Sequence, residues 1–349
     1  MPDATFQYLL RLLTPMIAKQ DTWMRKAITP EQRLIATLRF LATGRAFQDL
    51  KFSTGISPQA LGYIIPDTCK AIISCLKNEY MKFPRTQEEW LDIAEDFEQL
   101  WHFPNCGGAL DGKHIRITPP RGSGSFYFNY KGFHSIVLMA LVNAHYEFIM
   151  VDIGSNGRVS DGGVLEQTVF LNKLKQKRLN LPHNGQTKKG YNFVFVADEA
   201  FALQEHVIKP FPQRDLNMSK KKYNYRLSRA RRIVENAFGI LANRFRVLHT
   251  AINLRIDKID LVVYACCMLH NFLRRRHGLH YMPTNSVDHE DLQLGTIIPG
   301  EWRTQQAPLT ELEPSAPRNA SFSAKDNREQ YMHYFNGEGA VPWQNRMVR

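Results

Sequence analysis

The chain has 349 residues, 44% hydrophobic and 22% charged, with a formal net charge of +12. This length and balance exclude a fibrous or disordered chain and allow one large domain or two modest ones around a substantial core. Five cysteines (Cys69, Cys75, Cys106, Cys266, Cys267) without a CxxC pair argue against a disulfide framework or zinc site, and for a reduced, intracellular setting. The N-terminal MPDATFQYLLRLLTPMIAKQ lacks the basic start and continuous apolar run of a signal peptide. No apolar run approaches the roughly 18 residues of a membrane span.

The first hundred residues predict helices. Thr29-Pro30-Glu31-Gln32 is a capping-box start, RLIATLRFLA follows at helical spacing, and Gly44 ends it. A short helix through FQDLKF, a turn at STG and a third helix opened by Ser57-Pro58 complete a helix-turn-helix-like segment over about 29–76. A plain helical bundle fits the same pattern. The acid-rich helix from Thr86 to Leu100 is expected to pack on the domain that follows.

From Gly107 the pattern changes to strands. ALDGKHIRI, HSIVLMALVNA and EFIMVDIG predict a three-stranded antiparallel meander. SDGGVLEQTVFLNKLKQK predicts a helix capped by Ser160 or Asp161, and YNFVFVAD predicts an apolar strand ending on an acid. A basic helix and a last helix, DLVVYACCMLHNFLRRR, follow. The order predicts a mixed α/β sheet with helices on both faces. After about His277 the chain turns polar and Pro-rich, which predicts a loosely ordered tail with one short helix, KDNREQYMHYF. The expected regions are therefore 1–100, 101–277 and 278–349.

Charge is concentrated in one place. Between Lys209 and Arg246, eleven Lys and Arg stand against two acids, Asp215 and Glu235, which accounts for nine of the twelve net charges. A patch of this kind favours a polyanionic partner. Lys220, Lys221, Lys222, Arg226, Arg229, Arg231 and Arg232 are the expected phosphate contacts, with Lys220–Lys222 doubling as a nuclear localisation signal.

Three acids are candidates for chemistry. Asp111 follows Ala109 and Leu110, and Asp198 ends the run VFVA, at the strand end where open α/β sheets bind ligands. Glu235 is helical and, opposite Ile233, Ala237 and Ile240, is expected to project away from the core. Divalent cations prefer such oxygen ligands, and two ions roughly 4 Å apart catalyse in-line phosphoryl transfer. The pattern leaves alternatives open. A strand-end Asp also reads as a turn residue, Asp152 is a further strand-end acid, and Glu235 with Arg231 reads equally as an i,i+4 surface pair. Asp161 reads as a cap and Glu199 as pointing away from Asp198. His114 and His134 read as structural groups or phosphate contacts, and His270 as core.

At these residues the sequence resembles the PIF/Harbinger transposases and the Harbinger-derived nuclease, a branch of the DDE transposases. The stretches are FPNCGGALDGKHIRI, FNYKGFHSIVLMALVNAHYEFIMVDIGSNGRVSDGGV, FVADEAF and NYRLSRARRIVENAFGILANRFRVL, in order between about Trp101 and Leu273, about half of the chain. LRFLATG and ISPQALGYIIP resemble the helix-turn-helix region that precedes the nuclease. The resemblance implies an RNase H-like fold with a mixed five-stranded sheet. It also implies a triad of Asp111, Asp198 and Glu235 holding two Mg2+ or Mn2+ ions, which settles Asp198 over Asp152. The implied activity is DNA strand cleavage and transfer in the nucleus, assisted by a Myb/SANT-like partner and carried out by a multimer. Related chains usually carry residues before the LLRLLTP-like segment, so the N-terminal module is expected to be incomplete. The competing expectation is a domesticated DNA-binding or scaffolding protein without catalysis. A small-substrate phosphatase is disfavoured by the size of the basic patch.

Overall fold

In the computed structural model, which describes residues 1–156, 165–166, 168–214, 216–305, 309–312 and 319–348, the central element is β1 (Cys106–Arg116), buried at every position but the last. It pairs antiparallel with β2 (Ser135–Val142), which pairs antiparallel with β3 (Phe148–Asn156). On its other side β1 runs parallel to β4 (Val194–Val196), and β4 runs parallel to β5 (Val207–Ile208). The sheet order is β3-β2-β1-β4-β5, and a short sixth strand, Thr310–Glu311, pairs with the far end of β1, so the sheet has six strands rather than the expected five. The β2 run SIVLMALV is buried throughout, as a strand covered on both faces must be.

The two faces are packed by different helices. Ala109, Leu138, Ala140, Val194 and Val196 face α7 (Met218–Arg244) and α8 (Ile256–Tyr281). Leu110, Val137, Met139, Phe193 and Phe195 face α5 (Gln87–Trp101) and α6 (Val169–Lys175). Trp90 of α5 is fully buried on that second face and donates to Leu179 O at 2.8 Å. Thr168 caps α6; the expected caps Ser160 and Asp161 lie outside the described residues.

The N-terminal helices form where the local signals place them. They are α1 (Asp3–Ile17), α2 (Pro30–Thr43), α3 (Phe47–Thr54) and α4 (Pro58–Tyr80). Thr29 and Gln32 make the reciprocal capping box, Gly44 closes α2 at φ 66°, and Ser57 caps α4. Their core is continuous with that of the sheet, since Leu34, Leu61 and Ile72 share one buried cluster with Val263 of α8 and with Ala109.

The polar tail is not loosely ordered in its described parts. A hairpin of β6 (His289–Asp291) and β7 (Thr296–Ile298) leads to α9 (Trp302–Gln305), and β8 (Thr310–Glu311) pairs with β1. In α10 (Phe322–Asn336), Tyr331 and Phe335 are fully buried, with ring centres 5.7 and 5.0 Å from Phe103. A short α11 (Gln344–Met347) follows. Two aromatics four residues apart make one apolar face, which the polar residues around them conceal from composition. Among the described residues no helix is long and apolar enough to cross a membrane.

Candidate functional site

Strand register brings the two aspartates together. Ala109 of β1 pairs with Val196 of β4, and Asp111 and Asp198 each follow a member of that pair by two residues. Alternation along a strand puts each acid on the same face as its predecessor, the face covered by α7. Asp152 pairs with Met139, whose side chain belongs to the opposite face. The register therefore sets Asp152 apart from Asp111 and Asp198. Glu199 is exposed.

Each carboxylate has a distinct environment. Asp111 is buried; its Oδ1 accepts from Gly112 N at 2.8 Å, while Oδ2 pairs with the Lys113 ammonium 2.9 Å away. Burial and then the Asp111 charge push the Asp198 carboxyl up to about 6, despite Arg231 and Lys113 nearby. Glu235 behaves oppositely. Burial raises it, but Arg231, Lys113 and Arg303 outweigh burial and hold it below the ordinary carboxylate range.

Glu235 does not project into solvent as its helical position predicts. It is largely buried, pairing with Arg231 at 2.5 Å and Arg303 at 3.1 Å. Because α9, α10 and the β6–β7 hairpin cover the far side of α7, this helix is buried around most of its circumference. Asn236 accepts from Trp302 Nε1 at 2.7 Å and from Asp288 N at 3.0 Å. Asp288 in turn holds Arg303 at 2.7 Å. This chain of contacts delivers Arg303 to Glu235.

The basic residues divide into two groups. Arg226 is almost fully buried and donates to Gly339 O, Gln344 Oε1 and His102 O, with its guanidinium 4.4 Å from the Phe335 ring centre. Arg229 and Arg232 both pair with Glu290 at 3.0 Å, and Tyr225 donates to the same carboxylate. These three arginines, expected on phosphate, are bound to protein groups instead. Lys221 is exposed, while Lys220 and Lys222 are half-buried at the N-terminal end of α7. Arg231 remains at the carboxylates.

Sequence reasoning missed Lys113 and Arg303. Lys113 carried a usable signal, since residues two apart on a strand share a face. Arg303 lies 68 positions from Glu235 and carried none. His114 hydrogen-bonds Ser135 through Nδ1 at 2.9 Å, and burial pushes it down to about 4, so it stays neutral. His270 is buried between Tyr281 OH and Tyr146 O.

Two neighbouring aspartates, one buried and the other half-buried and raised by burial and then by its neighbour's charge, suit a divalent cation in donor chemistry. Among the described residues no three His, Cys, Asp or Glu side chains already stand as a metal-ligand group. Lys113 and Arg231 contribute positive charge to all three acids.

Residues 110–271 match the family described as the DDE superfamily endonuclease. The chain is similar to the Homo sapiens protein named "Putative nuclease HARBI1", 24% identical over 80% of this chain and 76% of the relative. The Xenopus laevis protein of that name is 24% identical over 77% and 75%. Protein ALP1-like of Arabidopsis thaliana is 25% identical over 77% and 68%. No solved structure matches the chain.

Proposed function

We propose that the chain is a metal-dependent DNA endonuclease of the Harbinger type, built on Asp111, Asp198 and Glu235, a reading supported by the match of residues 110–271 to the DDE superfamily endonuclease. The observation that carries the reading is the Ala109–Val196 register, with both aspartates two residues beyond it on the face covered by α7. The sheet order β3-β2-β1-β4-β5, antiparallel on one side of β1 and parallel on the other, supports an RNase H-like fold. The turn at Gly55 (φ 69°) between α3 and the Ser57-capped α4 supports a helix-turn-helix-like element.

Asp111 and Asp198 would hold a Mg2+ or Mn2+ ion, and Glu235 closes the site from α7. When bound, such an ion polarises the scissile phosphate and activates water. In cleavage a bond forms from water oxygen to phosphorus and the bond from phosphorus to the 3′-oxygen breaks. The water proton ends on that oxygen, leaving a 3′-hydroxyl and a 5′-phosphate. A 3′-hydroxyl replacing water would give strand joining. Lys113 and Arg231 provide positive charge beside the reacting phosphate, while Lys220, Lys221 and Lys222 bind the backbone further along α7. The same reading places the protein in the nucleus as a multimer, with a Myb/SANT-like partner.

A second reading, a DNA-binding or scaffolding protein without catalysis, is favoured by one observation: Lys113 pairs with Asp111, and Arg231 and Arg303 pair with Glu235. Product ends decide between the two. Duplex DNA incubated with the protein and Mn2+ is expected to gain polymerase-extendable 3′-hydroxyl ends, and a chelator is expected to abolish them. Bound DNA without new ends under any divalent ion sinks the catalytic reading and leaves the second.

A further inference from the structure

Three carboxylates offer two places for a bridging cation, one between Asp111 and Asp198 and one between Asp111 and Glu235. A buried cation stands beside the second place. Lys113 follows Asp111 by two residues on the same face of β1, and its ammonium lies 6.0 Å from the ring centre of Phe238 on α7. From there it stands 2.9 Å from Asp111 Oδ2 and 3.5 Å from Glu311 Oε1, and its charge is felt by Glu235. The side chain is buried, so it is not free to leave for solvent when a metal arrives.

Glu235, already bound by two guanidiniums, has little left to offer a second ion. The Asp198 side chain accepts from Ala200 N and takes part in no ion pair among the described residues.

We propose that the site takes a single divalent ion, on Asp111 and Asp198, and that Lys113 is the resident cation of the second position. The inference rests on the metal-dependent reading above. In that role the ammonium faces the phosphate and supplies charge stabilisation, with donor hydrogens that a metal ion lacks.

Metal stoichiometry tests this without reference to activity. Mn2+ is titrated into the purified full chain by calorimetry and followed by electron paramagnetic resonance. The wild type is expected to bind one ion per chain and to show the signal of an isolated Mn2+. Lys113→Met is expected to bind a second ion, with a signal broadened by the pair, and Lys113→Arg to keep one. Two ions per wild-type chain overturns the inference and leaves the metal-dependent reading standing. One ion in both wild type and Lys113→Met overturns the role given to Lys113. No ion on the wild type, or binding unchanged by Asp111→Asn, overturns the underlying reading and this inference with it. If Lys113→Met does not fold, the wild-type stoichiometry decides alone.

Discussion

Asp111 and Asp198 are neighbours because Ala109 pairs with Val196 on adjacent parallel strands and each acid follows by two residues. Burial and the Asp111 charge raise Asp198 from 3.8 to about 6. A carboxyl raised on folding holds a proton in the folded state that the unfolded chain has released between these two values. The cost is therefore absent below about pH 4 and fully developed above about pH 6. Asp198→Asn is predicted to stabilise the metal-free protein at pH 7.5 by about 1–3 kcal/mol, with no gain at pH 4. Urea denaturation in chelator at the two pH values checks it, and equal stability at pH 7.5 contradicts it.

Glu290 anchors Arg229 and Arg232 in the protein interior. Removing the acid leaves two largely buried guanidiniums without their carboxylate. Glu290→Ala is predicted to cost about 3–5 kcal/mol, read from the urea midpoint at constant slope. A loss below about 1 kcal/mol, the range of an exposed pair, would show that the two arginines are not held as described.

The two groups of basic residues should separate in DNA binding. Removing one cation that neutralises a phosphate lowers the dependence of log affinity on log salt by about 0.9. Replacing Lys220, Lys221 and Lys222 together by Ala is predicted to flatten that slope by up to about 2.7 with little change in stability. Arg226→Ala should instead lower stability, because its guanidinium bonds three protein acceptors. A salt titration of fluorescence anisotropy beside thermal melting checks both, and the reverse pattern would reverse the assignment.

Gly239 on α7 gives Trp302 its place, since a Cβ there would stand 2.2 Å from the indole. Gly239→Ala is predicted to cost about 1–3 kcal/mol by overpacking and to displace Arg303 from Glu235. Phe335→Ala, in the packed tail, is predicted to cost about 3–5 kcal/mol. Urea melts measure both; a neutral Phe335→Ala would mean that α10 is not part of the core.

What was legible in the sequence was local. Thr29 with Gln32, Ser57 before Pro58 and the acid just past VFVA are signals carried by a few adjacent residues, and each stands where they predict; Asp111, read as a strand-end acid, stands instead in the middle of β1, which continues to Arg116. What was not legible depends on distant partners. Arg229 and Arg232 read as free charge because Glu290 lies 58 positions beyond Arg232. Glu235 read as solvent-facing because the segments that bury its helix follow α8. The tail read as loose because Tyr331 and Phe335 act as a pair only when a helix brings them onto one face beneath Phe103.

Nicking of supercoiled plasmid in Mn2+ tests the central claim most directly. Wild type is compared with Asp111→Asn, Asp198→Asn and Glu235→Gln, each shown to fold and to bind DNA. The wild type is predicted to nick, and each variant to lose roughly a hundredfold or more, since metal assistance contributes several kcal/mol to the transition state. Equal nicking by wild type and Asp111→Asn would contradict the account.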